Sequence, residues 1–380
     1  MDIHYLREKI DEIDSTLLRA FIERMDVSAD IAACKAEKGL PIYDPARERQ
    51  KMSDIIARTP EKYAQYAAAL YALLFELSRT HQESIVRPRS TLVEQIQKAL
   101  ETTQRVFPKN APVACQGVEG AFSQLACEKL FTYPNIMFCN SFESVFSAID
   151  AGLCRYGVLP LENSTAGSIN KVYDLMMRHR FYIVRSVRLK VDHNLLAKKG
   201  ASLSDIKEIY SHAQAISQCA AFLSTLPGVK VIECENTAKA AKLVAESDRT
   251  DIAALSSRYC AELYGLVCLK SAVQDQGNNY TRFICISKDL EIYPGADKTS
   301  LMLSVPHKPG SLYRVLSRFY ALGINLNKLE SRPIPDRDFE FIFYFDLDTP
   351  VYSDAFTQLI GELESSCDDF RYLGSYSEVV

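Results

Sequence analysis

The stretch Gly277-Asn278-Asn279-Tyr280-Thr281-Arg282-Phe283-Ile284-Cys285-Ile286 begins polar and ends apolar. Gly277, Asn278 and Asn279 are loop formers and Phe283 to Ile286 reads as a buried strand, so Thr281 and Arg282 stand where a loop enters a sheet. A threonine hydroxyl beside a guanidinium can hold an anionic ligand and deliver a proton to a departing oxygen. The same two residues also suit a β-branched strand position next to a surface arginine. Working outward, short apolar strands at 113–116, 136–139, 157–159, 229–233, 252–255 and 282–286 alternate with helical stretches such as 122–131 and 142–151. That alternation predicts an α/β domain, and the long excursion between about 180 and 270 predicts two lobes with a cleft between them. Ligands of such folds sit near strand C-termini and helix N-termini.

A chain of 380 residues is too long for one core and divides into two or three domains. An apolar fraction of 47% and a charged fraction of 24% are those of a soluble globular protein. No apolar run approaches membrane-spanning length, and the N-terminus opens directly into a charged amphipathic pattern, so a cytoplasmic location and no membrane partner are expected. The eleven cysteines form no CxxC and lie mostly in apolar segments, where they read as small core residues. A formal charge of −4 argues against a nucleic-acid partner while leaving room for a local basic pocket that takes a small dianion.

Upstream of the alternation, Ile3, Leu6, Ile10, Ile13, Leu17, Phe21, Met25 and Ile31 recur at helical steps, with no Gly or Pro before Gly39. After the turn at 39–41, Asp44 can cap a second helix with Pro45 in its first position. A third runs from after Pro60 to before Pro88, and 90–109 reads as its end plus a linker. Three helices this long cannot close a monomer's core, so pairing with a second copy is expected. Most charges on such helices are solvated faces. Two spacings stand out: Arg24 and Lys35 share one face three turns apart, and Ser78 and Gln82 are an i, i+4 pair.

The segments LREKIDEID, ER at 23–24, CKAEKG at 34–39, DPARER at 44–49 and LSRTHQ at 77–82 resemble the all-helical chorismate mutase family over the whole block. The resemblance implies a ligating set of Arg7, Arg24, Lys35, Asp44, Arg47, Glu48, Ser78 and Gln82. Arg7 and Arg24 lie about 25 Å apart on a straight helix at 1.5 Å per residue, too far for one small ligand, so one of them must come from a partner chain. The implied chemistry is the Claisen rearrangement of chorismate to prephenate. Arg7, Arg24 and Arg47 would grip the carboxylates, Lys35 and Gln82 would face the ether oxygen as it gains charge, and Glu48 would accept from the substrate hydroxyl.

In the α/β block three further polar loops sit at junctions: 117–123, 160–167, and 211–214 leading into Ser217-Gln218-Cys219. Taken singly, a Ser or Asn in any of them is commonly a helix cap. The loop at 117–120 lacks GxGxxG, which disfavours a dinucleotide site. Together GVEGAFS, PLENSTAG, SHAQAISQC and NNYTRF resemble the prephenate dehydratase family across about 112–288. The resemblance implies loss of water and carbon dioxide from prephenate to give phenylpyruvate. Thr281 would protonate or hydrogen-bond the leaving hydroxyl with Asn163 and Gln218 assisting, and Arg282, Ser211 and Ser164 would fix the carboxylates. Aromatisation drives the step, so neither metal nor organic cofactor is called for. His212 and Glu162 read as structural.

After the break at Tyr293-Pro294-Gly295, a strand at 299–305, a helix at 311–322, strands at 324–330 and 339–347, a helix at 353–365 and a strand near 370–375 spell βαββαβ, the ferredoxin-like plan. HKPGSLYRVL and GINLNKLESRP resemble the ACT domain of phenylalanine-inhibited dehydratases. That implies an L-phenylalanine site at Pro309, Gly310, Ser311, Leu312, Glu330, Ser331 and Arg332 between two such domains, the alternative being a domain that only holds a dimer together. The expected organisation is therefore an all-α mutase domain over 1–100, a two-lobed α/β dehydratase domain over 110–290 resembling periplasmic binding proteins, and an α+β ACT domain over 297–380. The chain is expected to form a homodimer or a dimer of dimers. A mutase fused to a non-catalytic amino-acid sensor is the competing reading.

Overall fold

The computed structural model describes residues 2–86, 90–335, 337 and 340–380. Pro88 and Phe339, which bound two of the expected elements, lie outside them. The chain divides into two compact units, Met1–Glu94 with Ile360–Ser366, and Gln95–Leu359 with Cys367–Val380.

The first unit holds α1 (Ile3–Glu37), α2 (Pro45–Arg58) and α3 (Ala64–Val86), with α1 and α2 both packed on α3. The Asp2 carboxylate caps α1 by accepting from the His4 N–H, and Asp44 caps α2 by accepting from Ala46 and Arg47. Pro45 costs nothing at the head of α2, because its missing N–H would have been unpaired there in any case. In α1 only Ser28 and Ala32 are buried, while Ile3, Leu6, Ile10, Ile13 and Leu17 are exposed. Most of the apolar stripe read from the sequence is thus uncovered among the described residues, with Phe21 and Met25 half-buried. Residues 91–102, expected as part of a linker, instead form a separate helix, α4 (Thr91–Thr102), because Ile96 and Ala99 share an apolar face and are buried.

The second unit opens with β1 (Asn110–Gln116), α5 (Phe122–Leu130), β2 (Tyr133–Cys139), α6 (Phe142–Asp150), β3 (Tyr156–Asn163), β4 (Gly167–Ser168), α7 (Asn170–Arg178) and β5 (Tyr182–Lys190). The chain then crosses to a second lobe: β6 (Asn194–Ala197), β7 (Glu208–Ser211), α8 (Ala213–Gln218), α9 (Ala220–Ser224), β8 (Lys230–Glu233), α10 (Thr237–Glu246), β9 (Ile252–Ser256), α11 (Arg258–Tyr264) and β10 (Val267–Lys270). It returns in β11 (Tyr280–Ser287). The last segment is β12 (Lys298–Ser304), α12 (Ser311–Ala321), β13 (Asn325–Pro333), β14 (Phe341–Asp348), α13 (Asp354–Ser366), β15 (Asp368–Tyr376) and β16 (Glu378–Val379), the βαββαβ order with one extra strand.

Among the described residues three sheets result, ordered β16-β5-β11-β3-β1-β2 with β4 on β3, β10-β6-β9-β7-β8, and β13-β14-β12-β15. The first two are the lobes of the cleft, joined by the crossings after β5 and before β11. β3 runs on to Asn163, so Pro160 to Asn163, expected as loop, belong to a strand buried along nearly all its length. Gly157 is where α6 presses closest: a Cβ there would stand 2.6 Å from Ile149 Cδ1. β16 joins the first sheet beside β5 in parallel register. Met302, Ile342, Tyr344, Leu373 and Tyr376 of the third sheet share one buried cluster with Leu159, Leu161, Tyr173, Met176 and Ile183 of the first lobe. Among the described residues no helix is long and apolar enough to cross a membrane.

Candidate active site

The register between β3 and β11 sets Asn163 opposite Thr281 and Glu162 opposite Arg282. Because side chains alternate along a strand, the two pairs emerge on opposite faces. Asn163 and Thr281 are both buried, and Asn163 adjoins Asn279 and Gln218.

There the hydrogen-bond roles follow one from another. Asn163 Oδ1 accepts from the backbone N–H groups of Thr165 at 3.1 Å and Ala166 at 2.9 Å, which can only donate, so its amide orientation is fixed. Its Nδ2 therefore donates to Thr281 Oγ1 at 2.9 Å and to Asn279 Oδ1 at 2.7 Å. Asn279 Nδ2 then donates to Gln218 Oε1 at 3.1 Å, and Gln218 Nε2 donates to Thr165 Oγ1 at 2.8 Å. With Gln218 Oε1 an acceptor, His193 Nε2, 3.0 Å away, must carry the proton. Its Nδ1 is left bare, buried and without a partner among the described residues. Burial lowers the His193 pKa below its ordinary 6.5, against the Gln218 hydrogen bond and Asp192, which raise it, and so favours this neutral form.

Having accepted from Asn163, the Thr281 hydroxyl keeps its own proton free to donate elsewhere. Thr165, Ala166, Gln214, Ser217, Gln218, Gln274 and Asn279 are among the residues lining a cavity of about 270 Å³ at this point. Ser164 braces the loop, donating to the Asn278 carbonyl at 2.8 Å and accepting from the Tyr280 N–H at 2.9 Å.

Two expected anchors are placed otherwise. Ser211, fully buried, donates to the Leu255 carbonyl at 2.8 Å. Arg282 leaves the opposite face of β11 and is gripped by Glu162 at 2.6 Å and by Asp346. His212 caps α8, accepting from the Gln214 N–H, in keeping with a structural part. Asn279 and His193 were not singled out from the sequence. Asn279 lies within the quoted stretch, but a loop asparagine carries no mark of burial, and nothing local points to His193.

In the helical unit Arg24, Ser28, Ser78 and Gln82 come together between α1 and α3, and with Ala20, Glu23, Val27 and Ile31 they line a cavity of about 370 Å³. Arg24 donates to Ser78 Oγ and to the Leu74 carbonyl at 3.0 Å, and burial lowers its pKa. Gln82 Nε2 donates to Ser28 Oγ at 2.9 Å while its Oε1 is buried with no partner among the described residues. Lys35 donates to the Ile42 carbonyl and Glu48 is ion-paired with Arg79. Arg7, Asp44 and Arg47 are exposed. One chain therefore assembles only part of the expected set.

The expected regulatory residues divide too. Gly310, at φ +85, is the left-handed cap of α12, a conformation that favours glycine. Pro309 is exposed, Leu312 half-buried, and Ser311 buried and within reach of Arg314. Along β13 alternate residues are exposed: Ser331 faces outward, whereas Glu330 accepts from Ser168 and Arg332 pairs with Asp174 through two bonds of 2.8 and 3.1 Å.

Residues 6–83 match the type II chorismate mutase family, 113–291 the prephenate dehydratase family and 299–361 the ACT domain family. A bifunctional chorismate mutase/prephenate dehydratase of Aquifex aeolicus is 30% identical over 100% of this chain and 99% of its own length. Among solved structures, a prephenate dehydratase in complex with L-Phe from Arthrobacter aurescens superposes with TM-score 0.64 at 27% identity, covering 70% of this chain and 90% of that one. A protein described as a novel type of quorum quenching acylase superposes with TM-score 0.64 at 30% identity, covering 70% and 98%.

Proposed function

We propose, from the premise that this chain belongs to the bifunctional chorismate mutase/prephenate dehydratase family, that it carries chorismate through prephenate to phenylpyruvate and is inhibited by L-phenylalanine at its ACT domain. In the first step the helical site holds chorismate folded so that its ether bond breaks as the new carbon–carbon bond forms. Arg24 binds a carboxylate, and Gln82 and Lys35 face the ether oxygen, where charge develops only in the transition state. Arg7 comes from a second copy, which would also cover the exposed stripe of α1.

In the second step the ring carboxylate of prephenate leaves as carbon dioxide. Its bonding electron pair enters the ring and expels the ring hydroxyl, which departs as water once it takes a proton. The observation that carries this reading is the fixed Asn163 amide: by donating to Thr281 Oγ1 it turns the threonine proton toward the leaving hydroxyl. Acyl transfer is less well served, because a threonine nucleophile needs a base to accept its proton and the group bonded to Thr281 is an amide donor. The test is to supply chorismate alone, without nicotinamide or metal, in mildly alkaline buffer and follow phenylpyruvate, then to add L-phenylalanine. Accumulating prephenate would sink the dehydratase assignment, and undiminished turnover with L-phenylalanine the regulatory one.

A further inference from the structure

Arg282 is 9% exposed and holds two carboxylates at once, Glu162 from the neighbouring strand and Asp346 from β14 of the third sheet. Glu162 in turn is held by Lys328 of β13, which also donates to Ser168 at 2.8 Å. Asp346 has its second oxygen engaged by Ser300, which bonds the Tyr376 hydroxyl. Burial disfavours the Arg282 charge, but Asp346, Tyr376 and Glu162 outweigh it and raise its pKa. The four charges sum to zero, and withdrawing any one leaves the group with a net charge around the buried Arg282, which is unfavourable.

Arg282 directly follows Thr281, and Glu162 directly precedes Asn163. One face of β3 and β11 therefore carries the Asn163–Thr281 pair, and the reverse face carries the charges that tie the adjoining positions to the C-terminal sheet. We propose that Arg282 and Asp346 are positioning residues for the dehydration, with the C-terminal sheet as the rigid support that sets Thr281 against Asn163. The proposal rests on the dehydratase reading of the cleft. It gives the ACT domain a part in turnover even without an effector, and any ligand that shifts β13 or β14 moves a partner of Glu162 or Arg282.

The test uses the full chain with prephenate as substrate. Asp346→Asn should lower the dehydration kcat by about tenfold or more with KM within about twofold, since orientation and not affinity is lost. The mutase rate should be unchanged and Asp346→Glu should recover most of the loss. Combining Asp346→Asn with Arg282→Met should cost no more than the worse single change, as for residues acting as a unit. A lowered melting temperature with kcat intact, or losses that multiply in the double variant, would overturn the proposal. If Asp346→Asn does not fold, Lys328→Met must show the same kcat-over-KM pattern, and an intact kcat there overturns it equally. An unaltered chain that makes no phenylpyruvate brings down the functional reading itself. An active chain indifferent to both substitutions brings down the positioning role alone.

Discussion

Asn163 and Thr281 stand opposite each other in the register of β3 and β11, their side chains 2.9 Å apart although 118 residues separate them in sequence. The direction of that hydrogen bond is fixed by two backbone N–H groups and is therefore open to reversal by a single atom.

Asn163→Asp should reverse it. An aspartate accepts from Thr165 and Ala166 as the amide does, but offers Thr281 an acceptor, so the threonine proton turns inward. Turnover of prephenate should fall by about 10²- to 10³-fold, the usual scale for one proton donor or oriented dipole. A rate within twofold of the unaltered chain, measured as phenylpyruvate formation, would refute the assigned direction.

Thr281→Ala removes the proton and should cost dehydration about as much, on the order of 10²- to 10⁴-fold, while Thr281→Ser retains a large part of the rate. Conversion of chorismate to prephenate by the same samples should not change.

His193 gives the stability of the dehydratase lobes a pH dependence. Its folded-state pKa lies below the ordinary value, so the unfolded chain binds the extra proton first as pH falls. Its contribution is present above 6.5 and is lost as pH drops below it toward the lowered folded value. Denaturant unfolding over a pH series should show the decline, and His193→Gln should flatten it.

Mixing the variants Arg7→Ala and Arg24→Ala tests the shared mutase site. Each alone should be nearly inactive. Co-refolded, about half the dimers are mixed and one of their two sites is whole, so roughly a quarter of the mutase activity should return. No recovery would place both arginines in one chain's site.

The three blocks were legible because each signal is local: heptad-like spacing in α1, alternation of short strands with helices, and the βαββαβ order. Pro160 and Glu162 read as loop residues, which hid the length of β3 and with it the register that opposes Asn163 to Thr281. Once Tyr280–Ser287 is a strand, its alternation already forbids Thr281 and Arg282 from sharing a site. The partner of Arg282 was beyond reach, since Asp346 lies in another sheet and nothing in a single sequence pairs the two. Ser211 misled for a related reason: a strand's last serine bonds a neighbouring carbonyl as readily as a ligand.

The chain of amides from Asn163 through Asn279 and Gln218 to His193 runs across both crossings between the lobes, for His193 ends the first and Asn279 the second. Any displacement of one lobe against the other would therefore stretch the Gln218 bonds to Asn279 and Thr165, while the Asn163 to Thr281 bond, made between adjacent strands of one sheet, would stay intact. The threonine is thus oriented from within its own sheet, and only the amides that link the lobes would register their movement.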